Sequence, residues 1–313
     1  MNNRDRLYRL SRTLRQANYW VTAKVVLAIM RVLRLLPADK AIDFADRAAR
    51  RIGPLVGRHR VALDNLRKAY PEKSDAEISA IAVEMWGNMA RLAAEYIFLD
   101  SLFDYDHYGQ TGDRIEVDGV PHFVTIAHEK KPHILFTGHL GNFELLPIAG
   151  AAYGMKVTSL FRPPNNPYIA DYIHSTRRST MGDLIASGAG VSFTLARILD
   201  DNGTIGVLVD QKFANGLPTT FFGRPCETNP LLPKLVRQYE CDVYPARCIR
   251  LPGNRYRLEI EPKMEMPRDE KGNLDLPATA QMMNDKVESW VREYPAQWLW
   301  YHDRWNIKRS VSL

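Results

Sequence analysis

The chain has 313 residues, of which 45% are hydrophobic and 25% charged, and its formal net charge is +6. Since domains average about 150 residues, this length allows one large domain or two small ones, with a core large enough to be stable without disulfides. The composition excludes collagen, low-complexity disorder and a polytopic membrane protein. Three widely spaced cysteines (Cys226, Cys241 and Cys248) do not suit a zinc knuckle or a disulfide framework, so we expect reduced thiols.

Positive charge is concentrated near the amino terminus. Residues 1–70 hold 16 Lys and Arg against 5 Asp and Glu, which leaves 26 and 31 for the remainder. Five arginines between Arg4 and Arg15 precede an apolar stretch from Tyr19 to Leu36. As a helix, this stretch would span about 27 Å, close to the ~30 Å hydrocarbon core of a bilayer. However, Lys24 and Arg31 interrupt it on one helix face.

This pattern favours a helix that lies in the lipid headgroup layer, with its basic residues toward anionic lipid. We therefore predict a basic, amphipathic, membrane-associating helix over residues 1–36, and leave open whether it spans the bilayer or lies flat. The alternative is an amphipathic helix packed on its own domain. A signal peptide is not expected, because no small-residue cleavage site follows. A nucleic-acid-binding arm is not expected either, because the basic segment runs directly into an apolar stripe.

Residues 37–313 are predicted to form a single α/β domain, with a helical prefix over residues 37–112 and a catalytic part over residues 113–313. Apolar residues of the prefix recur at helical spacing, and Ser74 followed by Glu77 indicates a capping box. A loop from Asp104 to Gly112 is expected to close the prefix.

The rest of the chain alternates short β-rich runs with helical patterns. Strands are predicted at Ile115–Val117, His133–Thr137, Lys156–Phe161, Thr204–Asp210, Thr219–Phe222, Val243–Ile249 and Arg255–Ile260. Helices are predicted at Phe143–Tyr153, Pro167–Thr176, Phe193–Asp201, Leu231–Tyr239 and Thr279–Tyr294. Such alternation is typical of an α/β fold, a layered, mostly parallel or mixed sheet flanked by helices.

The most informative motif is Gly138-His139-Leu140-Gly141-Asn142-Phe143-Glu144, which follows an apolar strand. Ligands of open α/β sheets bind at the carboxyl ends of strands, so His139 lies where chemistry is expected. A carboxylate at Glu144 could fix the imidazole tautomer and leave the other ring nitrogen free to take a proton. The alternative is a structural histidine. The chain lacks the His-Glu-x-x-His motif of a metalloprotease and the Gly-x-Ser-x-Gly motif of a serine hydrolase.

Two more polar residues follow predicted strands. Arg162 comes after the strand that ends at Phe161, where a guanidinium suits a phosphate or carboxylate group. Asp210 ends the next strand and could hold Arg162 or orient substrate hydroxyls. A surface ion pair for Arg162 and capping of the strand end by Asp210 are the structural alternatives.

Near the carboxyl end, the segment Tyr294–Trp305 concentrates aromatic residues. Core packing accounts for some of them. An amphipathic surface near lipid would account for the rest.

In their order along the chain, these motifs resemble those of the lipid A biosynthesis late acyltransferases, the lauroyl/myristoyl branch of the lysophospholipid acyltransferase superfamily. The resemblance covers most of the chain and includes several short blocks: Gly138–Glu144, Phe161-Arg162-Pro163, Asp210-Gln211, Phe221-Phe222-Gly223, Val243-Tyr244-Pro245 and Pro295-Ala296-Gln297-Trp298-Leu299-Trp300. The ordered set is far more specific than a His-x-x-x-x-Glu element alone.

The resemblance implies an enzyme on the cytoplasmic face of a Gram-negative inner membrane, with no metal or organic cofactor. It would transfer a fatty acyl chain from acyl carrier protein to a hydroxyl of a lipid A precursor, a Kdo-modified lipid IVA. His139 would be the general base, Glu144 its orienting partner, and Arg162 and Asp210 substrate contacts.

Two other functions remain open at this point. One is acyl transfer on the same fold to a lysophospholipid, glycolipid or ornithine lipid. The other is a non-catalytic lipid-binding protein of the membrane surface.

Overall fold

Helices fill the first third of the chain, as the sequence predicted. The structure, a computed structural model, describes residues 3–105, 114–188 and 190–305. The helices are α1 (Asn3–Leu33), α2 (Ala38–Ile52), α3 (Arg58–Ala69), α4 (Asp75–Glu95), α5 (Leu99–Leu102), α6 (Val120–His128), α7 (Leu145–Ala152), α8 (Pro167–Thr180), α9 (Val191–Asp200), α10 (Leu231–Tyr239) and α11 (Leu276–Glu293). The expected capping box at the start of α4 is present, with Ser74 and Glu77 bonded to each other's backbone N–H groups.

The strands follow from residue 115 onward. They are β1 (Ile115–Asp118), β2 (His133–Thr137), β3 (Val157–Phe161), β4 (Asp183–Ala186), β5 (Thr204–Leu208), β6 (Leu217–Phe221), β7 (Arg224–Thr228), β8 (Asp242–Leu251) and β9 (Arg255–Ile260). Seven of them form one mixed sheet in the order β1-β9-β8-β2-β5-β3-β4, and β6 and β7 form a separate antiparallel hairpin. The predicted α/β class is therefore confirmed.

The centre of the sheet determines where a ligand can bind. Strand β2 lies between β8 and β5 and is parallel to both, and β3 is parallel to β5 on its other side. The carboxyl ends of these strands therefore meet at one edge of the sheet, where α/β proteins bind their ligands. Helices α3, α4, α10 and α11 contribute buried side chains to the main core cluster, together with the central strands.

Three elements were missed in the sequence. Strand β7 contains Pro225, which is rare inside strands. Strand β4 offers only Leu184 and Ile185 as a half-buried apolar pair at the sheet edge. Helix α6 begins at a Val-Pro pair and is rich in β-branched and aromatic residues, which favour strands. Of the predicted loop Asp104–Gly112, residues 106–112 lie outside the described residues.

Hydrogen bonds tie helix α1 and the residue that follows it to the rest of the chain, and Met30 and Leu33 of α1 pack against buried residues. The backbone carbonyl of Tyr19 accepts a hydrogen bond from Asn166 at the start of α8. Beyond the end of α1, Arg34 donates to the carbonyl of Ile97 and to Asp100. Much of the apolar surface of α1 is exposed, at Trp20, Val21, Val25, Ile29 and Val32. Among the described helices, none combines the length and the hydropathy that a membrane span requires.

Candidate active site

Two strand ends bring His139 and Asp210 together. Strands β2 and β5 are parallel neighbours, and their last residues, Thr137 and Leu208, are paired in register. His139 and Asp210 each follow two residues later, so they leave the sheet side by side at its carboxyl edge. The topology, rather than nearness in sequence, therefore creates this pair.

The Asp210 carboxylate makes three hydrogen bonds and is almost completely buried. One oxygen, Oδ1, lies 2.7 Å from Nδ1 of His139. The other, Oδ2, accepts the backbone N–H of His139 and the indole N–H of Trp298, both at 2.8 Å. Burial opposes ionisation, but the charge and hydrogen bonds of His139 and the bond from Trp298 outweigh it. Together they hold the pKa of Asp210 well below its usual range.

This carboxylate determines which imidazole nitrogen can act as a base. An ionised carboxylate only accepts hydrogen bonds, so in the neutral imidazole of His139 the proton lies on Nδ1 and Nε2 keeps its lone pair. The side-chain amide of Gln211 lies 3.1 Å from Nε2 and donates to it. The imidazole is 17% exposed, and the Phe143 ring packs against it edge to face with 4.9 Å between the centroids. His139 therefore presents a basic nitrogen at the edge of the sheet.

Glu144 does not make the contact that the sequence predicted. Its carboxylate forms a bidentate ion pair with Arg177 of α8, with one bond of 3.1 Å to Nε and a shorter one to Nη2. Both side chains are largely buried. No hydrogen bond joins Glu144 to His139 within the described residues. The structure therefore corrects the expected pairing, because Asp210 bonds to the imidazole in place of Glu144.

The backbone between His139 and α7 is a tight turn with a required glycine. Gly141 has a φ of +56°, and a Cβ at this position would lie 2.2 Å from the carbonyl oxygen of Cys248. The Gly141 N–H donates to the carbonyl of Gln297. Next to it, the buried Asn142 side chain donates to Glu95, which also forms a buried ion pair with Arg250. These contacts fix the turn against β8 and α4.

A carboxyl-terminal segment, residues 298–304, holds the other side of the site. Besides the Trp298 bond to Asp210, Nε2 of His302 accepts the backbone N–H of Lys212 at 3.0 Å. Burial lowers the pKa of His302 to about 4, so its ring is neutral and can accept this bond at pH 7. The guanidinium of Arg304 donates to the carbonyl of Gln211 at 3.0 Å. We call Trp298, His302 and Arg304 the carboxyl-terminal clamp.

Arg304 is an unusual cation because it is almost fully buried and forms no ion pair with a carboxylate in the part of the chain that the structure describes. Its other hydrogen bonds go to Glu227 O, Thr228 Oγ1 and Asn284 Oδ1. The aromatic rings of this region are core residues, since Trp298, Trp300 and Trp305 are all buried. The expectation that part of this aromatic segment faces lipid is therefore wrong for the three tryptophans.

An apolar cavity of about 480 Å³ lies near this site. Its lining includes Thr137 and Phe143, which are close to His139 in the chain, as well as Glu144, Gly150 and Val157. The cavity is not lined by His139 itself. Its polar lining includes the Glu144–Arg177 pair. A cavity of this size and character suits the hydrocarbon part of a ligand.

Arg162 lies at the same edge of the sheet as His139. It follows the end of β3, two strands from β2, so the two backbones are roughly 10 Å apart across the sheet. Its side chain is exposed and forms no ion pair or hydrogen bond within the described ranges. Asp210, for which holding Arg162 was one of two expected roles, instead bonds to His139 and Trp298. Arg162 is therefore available to an anionic ligand.

A second group of titratable residues lies at the opposite edge of the sheet. Glu129, His133 and Asp242 place ligand atoms within 4.8 Å of one another, a grouping that could hold a metal ion. The ammonium of Lys131 already lies between the two carboxylates, 2.8 Å from Glu129 and 2.5 Å from Asp242. A metal ion would have to displace this ammonium. His133 and Asp242 are the first residues of β2 and β8. The group is therefore remote from His139, which follows the other end of β2.

Sequence reasoning found His139, the Asp210-Gln211 motif and the aromatic segment that contains the clamp, but it missed Arg177 and the contacts of the clamp residues with the site. The Asp210–Trp298 bond joins residues 88 positions apart, and no spacing rule predicts such a contact. One signal was present, because His302 and Arg304 interrupt an otherwise aromatic segment.

Comparison with known proteins matches residues 8–307 to the model of the bacterial lipid A biosynthesis acyltransferases. The chain is 26% identical to the lipid A biosynthesis myristoyltransferase of Escherichia coli, over 96% of this chain and 91% of the relative. It is 25% identical to lipid A biosynthesis acyltransferase 1 of Shigella flexneri over the same shares. A lipid A biosynthesis acyltransferase of Haemophilus influenzae is 27% identical over 60% of this chain and 58% of the relative. Because the family model covers nearly all the chain, including the His139–Asp210 pair and the clamp, the protein belongs to the bacterial lipid A biosynthesis acyltransferases and is an enzyme of acyl transfer.

Proposed function

We propose that this enzyme transfers a fatty acyl chain from the thioester of acyl carrier protein to a hydroxyl of a lipid A precursor, a Kdo-modified lipid IVA. The observation that carries the proposal is the His139–Asp210 pair, whose imidazole packs against Phe143, a residue that lines an apolar cavity. A base near a hydrocarbon-sized cavity is what direct acyl transfer to an alcohol requires. The names of the relatives give the substrate class.

The reaction begins when the acceptor hydroxyl takes the place of the Gln211 amide at Nε2 of His139. Its proton passes to Nε2 while its oxygen attacks the thioester carbonyl, which forms a tetrahedral oxyanion. The carbon–sulfur bond then breaks, and the imidazolium returns the proton to the departing sulfur. Because a thioester is already activated, no serine or cysteine nucleophile is needed. Asp210 stabilises the imidazolium throughout and is not itself protonated.

The oxyanion needs hydrogen-bond donors close to the imidazole. The backbone N–H groups of Phe143 and Glu144 immediately precede α7, and neither has an acceptor within the described residues. N–H groups ahead of a helix are typically unpaired and favour negative charge. We assign them the role of stabilising the oxyanion.

The acyl chain would occupy the cavity. Each methylene group that leaves water for an apolar environment contributes about 0.8 kcal/mol, so the depth of the cavity determines which chain length binds best. The Glu144–Arg177 pair forms part of its wall, where the two opposite charges neutralise each other. Glu144 thus shapes the acyl site, and its role differs from that of Asp210.

Arg162 would contact a phosphate of the acceptor. Its guanidinium is exposed and unpaired in the described structure, and its planar fork matches a phosphate better than a lysine ammonium does. We place the acceptor across the edge of the sheet, with its phosphate at Arg162 and its hydroxyl at His139.

Helix α1 would hold the enzyme on the cytoplasmic face of the inner membrane. Its exposed apolar side chains and the surplus of basic residues near it suit an amphipathic helix in anionic lipid. The acceptor is itself a membrane lipid, so this placement brings the site to its substrate.

The proposal is tested with purified protein, acyl carrier protein loaded with a lauroyl or myristoyl chain, and a lipid A precursor. We expect turnover with this acceptor, no turnover with a lysophospholipid, and loss of activity in a folded His139→Ala variant. Turnover by that variant at the wild-type rate would refute the role of the imidazole. Preference for the lysophospholipid would overturn the acceptor. Mass spectrometry of lipid A from cells that lack the gene should show that a secondary acyl chain is missing.

A further inference from the structure

The connection between α2 and α3 exposes apolar side chains at a well-defined turn. Residues 52–57, here called the α2–α3 tip, form a short 3₁₀ turn over Gly53–Leu55. Ile52 is 59% exposed, Leu55 83% and Val56 42%. The described residues place no covering side chains over Leu55, although a leucine is among the residues most often buried.

The base of the tip is held firmly, so this exposure is a property of the fold. Gly53 is buried against Trp86 of α4, and a Cβ at this position would lie 2.3 Å from Cγ of that ring. The Trp86 indole donates to Nδ1 of His59 at 3.1 Å, and the backbone N–H of His59 donates to the carbonyl of Val56. These contacts point Leu55 outward in a fixed orientation.

Helix α2 adds one exposed apolar side chain to this region. Phe44 is 61% exposed, and the exposed residues around it on α2 are Lys40, Arg47 and Arg51. The buried Ala41 and Ile42 lie on the part of α2 that packs on α4. The exposed side of α2 is therefore mostly basic, and the exposed apolar side chains cluster at the tip.

The charge around the α2–α3 tip indicates which kind of surface it binds. Residues 47–60 contain five arginines and no aspartate or glutamate. Arg51, Arg58 and Arg60 are exposed and take part in no ion pair of the described structure. Isolated apolar side chains at a turn, ringed by unpaired arginines, match a bilayer surface with anionic headgroups, where leucine enters the acyl boundary and arginine meets phosphate.

We propose that the α2–α3 tip inserts Leu55 and Ile52 into an anionic membrane surface and gives the enzyme a second attachment point besides α1. Helix α2 has 15 residues and is about 22 Å long, so the tip lies roughly that far from the end of α1. Two separated attachments stop the enzyme from rotating about α1 and hold its sheet edge at a fixed angle to the lipid. This inference rests on the membrane association of α1 proposed above.

The test measures flotation of the full-length protein with vesicles of phosphatidylethanolamine and phosphatidylglycerol, and with neutral phosphatidylcholine vesicles. We expect Leu55→Asp to weaken binding to the anionic vesicles at least tenfold, or about 1.4 kcal/mol, while turnover in detergent micelles is unchanged. The matched control is Phe193→Asp on α9, because Phe193 is also strongly exposed, at 71%, but lies outside the tip. This control should bind within twofold of wild type.

A second measurement reports insertion directly. A Leu55→Cys variant labelled with an environment-sensitive fluorophore should show a blue shift on anionic vesicles that decreases at about 1 M salt. The three native cysteines are buried and should remain unlabelled. If wild type floats and Leu55→Asp floats equally well, or if the probe shows no blue shift, the tip does not enter the membrane. If wild type itself does not float, the membrane association proposed for α1 fails first.

Discussion

Replacing Asp210 by asparagine tests the central element of the mechanism. The Asp210→Asn variant keeps the size of the side chain but removes the charge that, in the proposed mechanism, stabilises the imidazolium in the transition state. Charges about 4 Å apart, at an effective dielectric constant of about 20, interact with about 4 kcal/mol. We therefore expect kcat to fall roughly 10³-fold. An amide can also donate to Nδ1, which would favour the wrong tautomer of His139 and add to the loss.

The matched comparison is Glu144→Gln, which neutralises the other carboxylate of the site. Glu144 bonds to Arg177 and not to His139, so we expect less than a tenfold change in kcat. Loss of the charge leaves Arg177 without its partner in a largely buried position, which destabilises the fold by about 3 kcal/mol or more. The melting temperature of the Glu144→Gln variant should therefore fall.

The assay measures kcat with saturating donor and acceptor at several pH values, beside circular dichroism to confirm folding. The reasoning is refuted if folded Asp210→Asn keeps more than a tenth of wild-type kcat. It is equally refuted if Glu144→Gln loses as much activity as Asp210→Asn, because Glu144 would then be acting on the reaction.

Four further predictions follow from the same contacts. Trp298→Phe removes one donor to Asp210, which leaves more negative charge to stabilise protonated His139, so the acidic limb of the kcat/KM profile should move to higher pH. Because the pKa of His302 is lowered from 6.5 to about 4, the unfolded state binds a proton first as the pH falls. The free energy of unfolding, measured by urea titration, should therefore decrease by up to about 3 kcal/mol between pH 6.5 and 4. The decrease should be smaller in His302→Gln. Arg162→Ala should raise the acceptor KM about tenfold or more with little change in kcat, as expected for one lost charged hydrogen bond. Gly150 lines the cavity, and a Cβ there would meet Val157 only at an ordinary 3.5 Å, so Gly150→Leu should shift donor preference toward shorter chains in a competition assay.

The sequence predicted the layered fold well because periodicity reports burial directly. Strand β2 was predicted with its exact bounds, and α10 likewise, since each is a short, strongly apolar pattern between turn residues. Elements with weak or mixed patterns were missed, among them the edge strand β4. Pairing order along the sheet is a long-range property, and no local pattern encodes it.

The partner of His139 shows the same limit at the level of the site. Glu144 lies five residues away in sequence, and a local rule favoured it. In the structure, the imidazole bonds instead to Asp210, 71 residues away, because β2 and β5 are adjacent and end in register. A correct prediction would have needed the strand order as well as the motifs.

The carboxyl-terminal clamp has a consequence for how the enzyme comes into being. Trp298 is translated 88 residues after Asp210, an interval of roughly 5 to 20 s at ordinary ribosome speeds. Throughout that interval the nascent chain already contains its imidazole and its carboxylate, but not the indole that bonds to Asp210. The hydrogen bonds around the carboxylate can therefore be completed only late in synthesis.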